Sequence, residues 1–147
     1  MAKRILVPLD QQERAEAVLP LVADIAHGGG ATVRLLHVAP PPRLRQDAYG
    51  RVIAYADQES DRLEGVALDY LRTVEARLEG VPVESRVRFG DAGEEILLEA
   101  DAFGADLIAL TSAPRSRLRP ALFGGVSGRV QRKAEVPVML LSARTGQ

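Results

Sequence analysis

Hydrophobic residues occur along the chain in five short runs, separated by segments in which apolar positions recur every three or four residues. Short apolar runs that alternate with helical patterns are typical of βαβ units, in which crossover helices join parallel strands. No internal repeat or linker divides the sequence, so residues 1–147 are predicted to form a single α/β domain. The strands of its sheet are expected at residues 4–9, 32–38, 81–89, 106–111 and 136–141.

The ends of several helices can be read from glycine, proline and capping residues. The three glycines at positions 28–30 predict the end of the first helix, and Pro20 predicts a kink or a displaced first turn within it. Asp91, followed by Glu94 three residues later, resembles a capping box that starts the third helix, and Gly104 is expected to end that helix. The last helix is predicted near residues 124–134.

A longer second helix is predicted from one apolar stripe. The preceding segment, residues 40–55, is polar, begins with three consecutive prolines and shows no period, so it is interpreted as a mobile surface loop. The residues that form the stripe are Leu63, Val66, Ala67, Tyr70, Leu71, Val74 and Leu78.

The third and fifth strands differ in ways that bear on the edges of the sheet. The third strand alternates apolar residues with Glu84, Arg86 and Arg88, which favours an edge strand with one face in water. A doubly wound, Rossmann-like sheet in the order 3-2-1-4-5 puts the fifth strand at the other edge, where no charge protects it. We therefore expect a homodimer through the fifth strand, although a loop or the C-terminal tail is an alternative cover. The expected contact residues are Val136, Val138, Met139 and Leu140.

Composition and charge narrow the classes of function. The net charge of -1 gives no sign of a nucleic-acid or membrane surface, and there is no cysteine to form disulfides, bind metals or act as a nucleophile. Only a short apolar run follows Lys3 and Arg4, so neither a signal peptide nor a membrane span is predicted, and the cytoplasm is the expected location. With two histidines and no acid or base near a candidate nucleophile, no catalytic triad or metal site is expected, and the chain is not predicted to be an enzyme.

Several segments resemble the universal stress protein family across nearly the whole chain. They are residues 5–10 (Ile-Leu-Val-Pro-Leu-Asp), 35–38 (Leu-Leu-His-Val), 90–96 (Gly-Asp-Ala-Gly-Glu-Glu-Ile), 104–110 (Gly-Ala-Asp-Leu-Ile-Ala-Leu), 124–130 (Gly-Gly-Val-Ser-Gly-Arg-Val) and 136–138 (Val-Pro-Val). The resemblance implies a five-stranded parallel sheet, a dimer through the last strand and a role in stress response. It also implies that some members bind ATP and others do not.

The ATP-binding members carry a glycine signature after the fourth strand: Gly, two residues, Gly, nine residues, Gly, then Ser or Thr. In this sequence those positions hold Thr111, Pro114, Gly124 and Gly125, so only Gly124 matches. Proline lacks the N–H that would bind phosphate, and threonine places a branched side chain where close approach is needed. The sequence therefore predicts a degenerate nucleotide-binding motif.

Some features nevertheless favour an anion site at the switch point between the first and fourth strands, where open α/β sheets bind ligands. A loop with Arg115, Arg117 and Arg119 could hold phosphate in place of the missing glycines. A non-enzymatic dimer that binds an unknown protein partner or a regulatory ligand is the leading interpretation, and an ATP-binding protein is the alternative. The candidate cofactor-binding residues are Asp10, Val38, Thr111, Gly124, Gly125 and Ser127.

Two of these candidates, and also His37, have structural explanations. Asp10 is equally well explained as a helix N-cap that forms a capping box with Glu13. Val38 corresponds to a position whose backbone contacts adenine in ATP-binding members, but here it is also explained as the end of the second strand. His37 lies in an apolar strand and is expected to be a hydrogen-bonded core histidine rather than a catalyst.

Overall fold

Five parallel strands form the main sheet of the protein. The computed structural model describes residues 2–11, 13–41, 45–54, 56–112 and 125–142. Numbered in chain order, the strands of this sheet are β1 (Arg4–Pro8), β2 (Thr32–Ala39), β5 (Val83–Phe89), β6 (Leu107–Ser112) and β7 (Val138–Ser142). Their spatial order is β5-β2-β1-β6-β7, which confirms the predicted order 3-2-1-4-5.

Each of the segments that join these strands contains a helix, as the sequence pattern predicts. A 3-10 helix (Glu13–Val18) leads directly into α1, and the remaining α-helices follow in the expected places. Within the described residues the α-helices are α1 (Leu19–Gly29), α2 (Ala56–Glu75), α3 (Ala92–Phe103) and α4 (Gly125–Lys133).

Two hydrophobic clusters lie on opposite faces of the sheet. Ile5 and Val7 of β1 belong to the cluster that includes buried residues of α1 and α2, whereas Leu6 belongs to the cluster that includes buried residues of α3 and α4. Successive side chains of a strand point to opposite faces, so a strand covered on both sides must be apolar at every position. The continuous apolar run of β1 is therefore explained by helices on both faces of the sheet.

The predicted helix boundaries agree with the structure to within a few residues. Gly30 and Gly104 both adopt the left-handed conformation, with φ of 66° and 70°, and end α1 and α3. The Asp91 carboxylate caps α3 by accepting a hydrogen bond from the Glu94 N–H at 3.0 Å. Pro20 lies in the first turn of α1, directly after the 3-10 helix, so the predicted displaced first turn is confirmed.

Two residues of the stripe predicted for α2 do not lie where the sequence pattern placed them, on the buried face of the helix. Val66 is 48% exposed, whereas Ala67, Leu71 and Val74 are buried against the sheet. Leu78 is buried as well, but α2 has already ended at Glu75, so this side chain reaches the core from the following turn. The stripe on the helix is therefore narrower and shorter than the sequence pattern indicates.

The interpretation of residues 40–55 as a mobile surface loop missed regular structure in part of that segment. Two short antiparallel strands, β3 (Arg45–Gln46) and β4 (Val52–Ala54), form a hairpin. Its turn is held by the Asp47 carboxylate, which accepts hydrogen bonds from the N–H groups of Tyr49 at 2.8 Å and Arg51 at 3.0 Å. Backbone hydrogen bonds from Asp47 to Arg51 and from Gly50 to Asp47 also close this turn, which leaves no periodic hydrophobic pattern.

The edge position predicted for the third strand, β5, is confirmed, but its charged face does not lie in bulk water. Glu84 forms an ion pair with Arg34 of β2. Arg88 forms ion pairs with Glu95 at 2.9 Å and with Glu99 of α3 at 2.7 Å. The alternation of β5 therefore reflects an ion cluster beneath α3, and Arg86 is the one exposed residue of this strand.

At the opposite edge, β7 pairs with β6. Its side chains from Val138 to Leu141 are half-buried, less covered than those of β1. Val138 and Leu140 pack toward one hydrophobic cluster, and Met139 and Leu141 toward the other. No helix within the described ranges is long and apolar enough to cross a membrane.

Candidate functional site

The predicted ligand crevice lies at the carboxyl ends of β1 and β6, where the connections change from one side of the sheet to the other. β1 is flanked by β2 and β6, and the crossovers that follow β1 and β6 place their helices in different hydrophobic clusters. Because a crossover helix runs antiparallel to its strands, α4 begins at this end of the sheet. The topology therefore brings the segment after β1, the end of β6 and the start of α4 to one crevice.

Thr111 reaches this crevice at the end of β6, but its hydroxyl group has a structural partner. The Oγ1 of Thr111 donates a hydrogen bond to the carbonyl oxygen of Ala15 at 3.1 Å. This bond ties the 3-10 helix to β6. The branched side chain at the first signature position therefore joins two elements of the fold.

The segment that follows β1 places Asp10 on the surface at the same end of the sheet. The N–H of Leu9 extends the strand ladder by donating to the carbonyl oxygen of Leu36 at 2.8 Å, and the exposed Asp10 comes next. Gln11 then adopts a left-handed conformation with φ of 65°. The 3-10 helix starts at Glu13, three residues after Asp10, so this carboxylate lies before the helix and beside the crevice.

His37 is hydrogen-bonded through both nitrogens of its ring. Its Nδ1 lies 2.9 Å from the carbonyl oxygen of Leu9, and its Nε2 lies 3.1 Å from the side-chain nitrogen of Gln11. The hydrogen bonds expected of His37 are therefore confirmed, but its ring is half-buried rather than part of the core. The sequence did not predict the contacts of His37 with Leu9 and Gln11, because these residues meet His37 only when β1 and β2 pair.

The sequence also did not predict a polar cluster near Asp10, which consists of Tyr70, Glu16 and Arg77. The hydroxyl group of Tyr70 donates to the Glu16 carboxylate at 2.7 Å, and Arg77 forms an ion pair with the same carboxylate. Burial raises the pKa of Tyr70, and the negative charges of Glu16 and Asp10 raise it further. Asp10 therefore lies within electrostatic reach of a cluster that joins the 3-10 helix to α2.

Among the described residues, none fills the space at the start of α4, the predicted anion-binding position. Gly125 is the first residue of the helix and is exposed, and a Cβ atom added there would meet no atom of the described residues within 4 Å. Ser127, two residues later, is half-buried. The first N–H groups of a helix have no intrahelical partner and favour an anion. Outside the described residues lie Gly124, Pro114, Arg115, Arg117 and Arg119.

The position of α4 is fixed by its contacts with α3 and the sheet. Arg129 forms an ion pair with Asp91 at 2.9 Å, and a Cβ atom on Gly93 would approach the Arg129 guanidinium to 3.2 Å. The backbone hydrogen bond from Glu94 lowers the pKa of Asp91, and the charge of Arg129 lowers it further. Val130 is the buried residue that anchors the helix in the core.

Val38 lies on the opposite face of β2 from His37 and packs against the same hydrophobic cluster as Leu6. It is half-buried one residue before the end of its strand, so both its packing role and a backbone contact to a ligand remain compatible with its position. Across the part of the chain that the structure describes, there is no group of three or more His, Cys, Asp or Glu side chains that could hold a metal ion. The described groups at this site are suited to binding an anionic ligand through backbone N–H groups, with one carboxylate nearby.

Comparison of the sequence and the fold with known proteins identifies the family of this chain. The profile of the universal stress protein family matches residues 1–142. The stress response protein NhaX of Bacillus subtilis is 25% identical over 162 aligned positions, which cover 95% of this chain and 98% of NhaX. The universal stress protein MJ0577 of Methanocaldococcus jannaschii is 26% identical over 157 positions, covering 98% of this chain and 97% of that protein.

Solved structures agree with the sequence comparison. The structure of MJ0577 matches with a TM-score of 0.79 and covers 98% of each chain. A universal stress protein in complex with cAMP matches with a TM-score of 0.74 at 16% identity, covering 97% of this chain and 98% of the other, which shows the shared fold. Since the family profile covers nearly the whole sequence and the fold agrees, the chain belongs to the universal stress protein family.

Proposed function

We propose that this universal stress protein acts in the cytoplasm as a homodimer that binds a protein partner or a regulatory ligand and catalyses no reaction. The observation that carries this proposal is the apolar edge strand β7. An edge strand normally carries charges or is covered, because its free N–H and C=O groups otherwise pair with other chains. Val138, Met139 and Leu140 provide neither a charge nor a proline.

The geometry of β7 suits pairing with its own copy. Its side chains are half-buried on both faces of the sheet, so a second β7 would continue both hydrophobic clusters across the interface. Val136 packs against one of these clusters immediately before the strand and extends the apolar surface. A two-fold axis would bring the same four residues together from each chain, as a self-complementary interface requires.

Sedimentation equilibrium tests the dimer directly. We expect the wild-type protein to have twice the mass of one chain, and the Met139→Glu variant to have the mass of a single chain. A charge on an edge strand is compatible with a folded monomer, so circular dichroism of this variant should remain α/β. Val66→Glu places the same charge on the exposed face of α2 and should leave the dimer intact. A wild-type monomer would contradict the proposal.

Nucleotide binding is the second candidate function. The exposed Gly125 at the start of α4 and the exposed Asp10 lie at the carboxyl end of the sheet, and a universal stress protein of the same fold is found in complex with cAMP. In this alternative an adenine nucleotide such as ATP occupies the crevice, and any ATP hydrolysis is slow. The residues that would contact it are Asp10, Val38, Thr111, Gly124, Gly125 and Ser127.

Thermal unfolding with and without Mg-ATP or cAMP separates the two functions. A ligand present at a hundred times its dissociation constant stabilises the native state by about 2.7 kcal/mol, which raises the melting temperature of a domain of this size by about 5–10 °C. Asp10→Asn should reduce this shift, and Asp24→Asn, a matched change at an exposed site on α1, should not. No shift with either nucleotide at millimolar concentration would eliminate the alternative.

A further inference from the structure

The loop after β1 contains the most unusual backbone position in the described part of the chain. Gln11 has a φ of 65°, and no other described residue apart from glycine has a positive φ. The left-handed region is disfavoured for a side chain such as glutamine, whereas asparagine and glycine adopt it readily. Strained positions of this kind persist where the surrounding structure holds them, and they cluster at functional sites.

The structure shows which group holds Gln11. The carbonyl oxygen of Leu9 can only accept a hydrogen bond, so the Nδ1 of His37, 2.9 Å away, must carry the proton. In the neutral ring the Nε2 of His37 then accepts from the side-chain amide of Gln11 at 3.1 Å. One imidazole therefore spans the segment from Leu9 to Gln11, and Asp10 lies between its two contacts.

We propose that His37 and Gln11 form a latch that presents Asp10 to the ligand crevice in its binding conformation before the ligand arrives. Both are positioning residues for ligand binding, and this inference rests on the proposal that the crevice binds a ligand. The length of the Gln11 side chain is what allows its amide to reach His37. Asparagine would suit the backbone better but would be one methylene too short. When the loop is already ordered, the free energy of binding does not include the entropic cost of ordering it.

Two variants release the latch without adding strain. Gln11→Asn suits the left-handed conformation and loses the contact with His37. His37→Asn keeps a side-chain N–H near the position of Nδ1, where it can donate to Leu9, but does not reach Gln11. Gln131→Asn, at an exposed site on α4, is the matched control.

Isothermal titration calorimetry with Mg-ATP and with cAMP measures the effect on binding. Losing one hydrogen bond of ordinary strength lowers the population of the binding-competent loop, so both latch variants should bind about fivefold to tenfold more weakly than wild type. The melting temperature of ligand-free Gln11→Asn should equal or exceed that of wild type, and Gln131→Asn should bind normally. Unchanged affinity in both latch variants would overturn the inference.

A ligand-free measurement keeps the latch testable if the wild-type protein binds neither nucleotide. Long-range proton–nitrogen NMR should then show the Nδ1–H tautomer of His37, and amide hydrogen exchange across residues 9–11 should be faster in Gln11→Asn than in wild type. An Nε2–H tautomer, or exchange that is the same in both proteins, would refute the latch. Failed nucleotide binding with a normal latch would refute only the nucleotide-binding alternative.

Discussion

The ion cluster beneath α3 makes a quantitative prediction for the Glu99→Gln variant. Glu99 is 4% exposed and accepts hydrogen bonds from the Arg34 Nη1 at 2.5 Å and the Arg88 Nε at 2.7 Å. The Arg34 guanidinium also lies 4.1 Å from the centre of the Phe103 ring. Glutamine keeps the shape of the side chain but removes its charge, leaving two arginines without their shared buried partner.

The size of the effect follows from how the arginines are placed. Removing one partner of a buried ion pair costs about 3–5 kcal/mol when the remaining charge has no other partner. Here Arg34 retains Glu84 and Arg88 retains Glu95, and the side chain of Arg88 is 28% exposed, so water reaches it. We therefore expect Glu99→Gln to lower the free energy of unfolding by about 2–3 kcal/mol near neutral pH.

Urea unfolding followed by circular dichroism gives this free energy, and its dependence on pH identifies the cause. Burial raises the pKa of Glu99, but the hydrogen bonds from Arg88 and Arg34 outweigh burial and hold the pKa below its usual value. A carboxylate whose folded pKa is lowered stabilises the protein above its unfolded pKa, about 4.3, and this stabilisation is lost as the pH falls through the folded pKa. The difference between wild type and Glu99→Gln should therefore shrink below about pH 4.

Glu79→Gln provides a control for this experiment, since Glu79 is exposed in the turn after α2. It should change the free energy of unfolding by less than about 0.5 kcal/mol, as is usual for a surface substitution. If Glu99→Gln were equally mild, the buried ion pairs would contribute little. If its effect persisted unchanged in acid, the ionised carboxylate could not be the cause.

Two further predictions concern glycines and the anchoring of α4. Gly104→Ala should destabilise the protein by about 1–2 kcal/mol in urea unfolding, because φ is 70° and the new Cβ atom would meet the Arg4 side chain at 3.0 Å. Gly65→Ala, in open space inside α2, should instead stabilise it by about 0.5–1 kcal/mol, and the same sign for both changes would contradict this reasoning. Val130→Ala should lower the free energy of unfolding by about 2 kcal/mol, because Val130 is the buried residue that anchors α4. Amide hydrogen exchange should then become faster in α4 than in α3. Equal protection of both helices would show that other contacts anchor α4.

Local sequence determined those parts of the fold that depend on neighbouring residues. The continuous apolar runs of β1, β6 and β7 predicted strands because a strand buried on both faces must be apolar at every position, and β5 was predicted from its alternation of apolar and charged residues. Gly30, Gly104 and Asp91 predicted helix ends because a left-handed terminus and a side-chain cap need particular residue types. The family resemblance and the strand order followed from these same segments.

Only the tertiary structure decided how distant polar residues pair. Arg34 and Glu99 are 65 positions apart, and the Gln11 side chain meets His37 across 26 positions, so neither contact leaves a periodic signal. For the same reason the charges of β5 resembled a solvated edge, although Glu84 and Arg88 have partners on neighbouring elements. Hydrophobic periodicity records which side of an element is buried, whereas the choice of polar partner depends on which elements pack together.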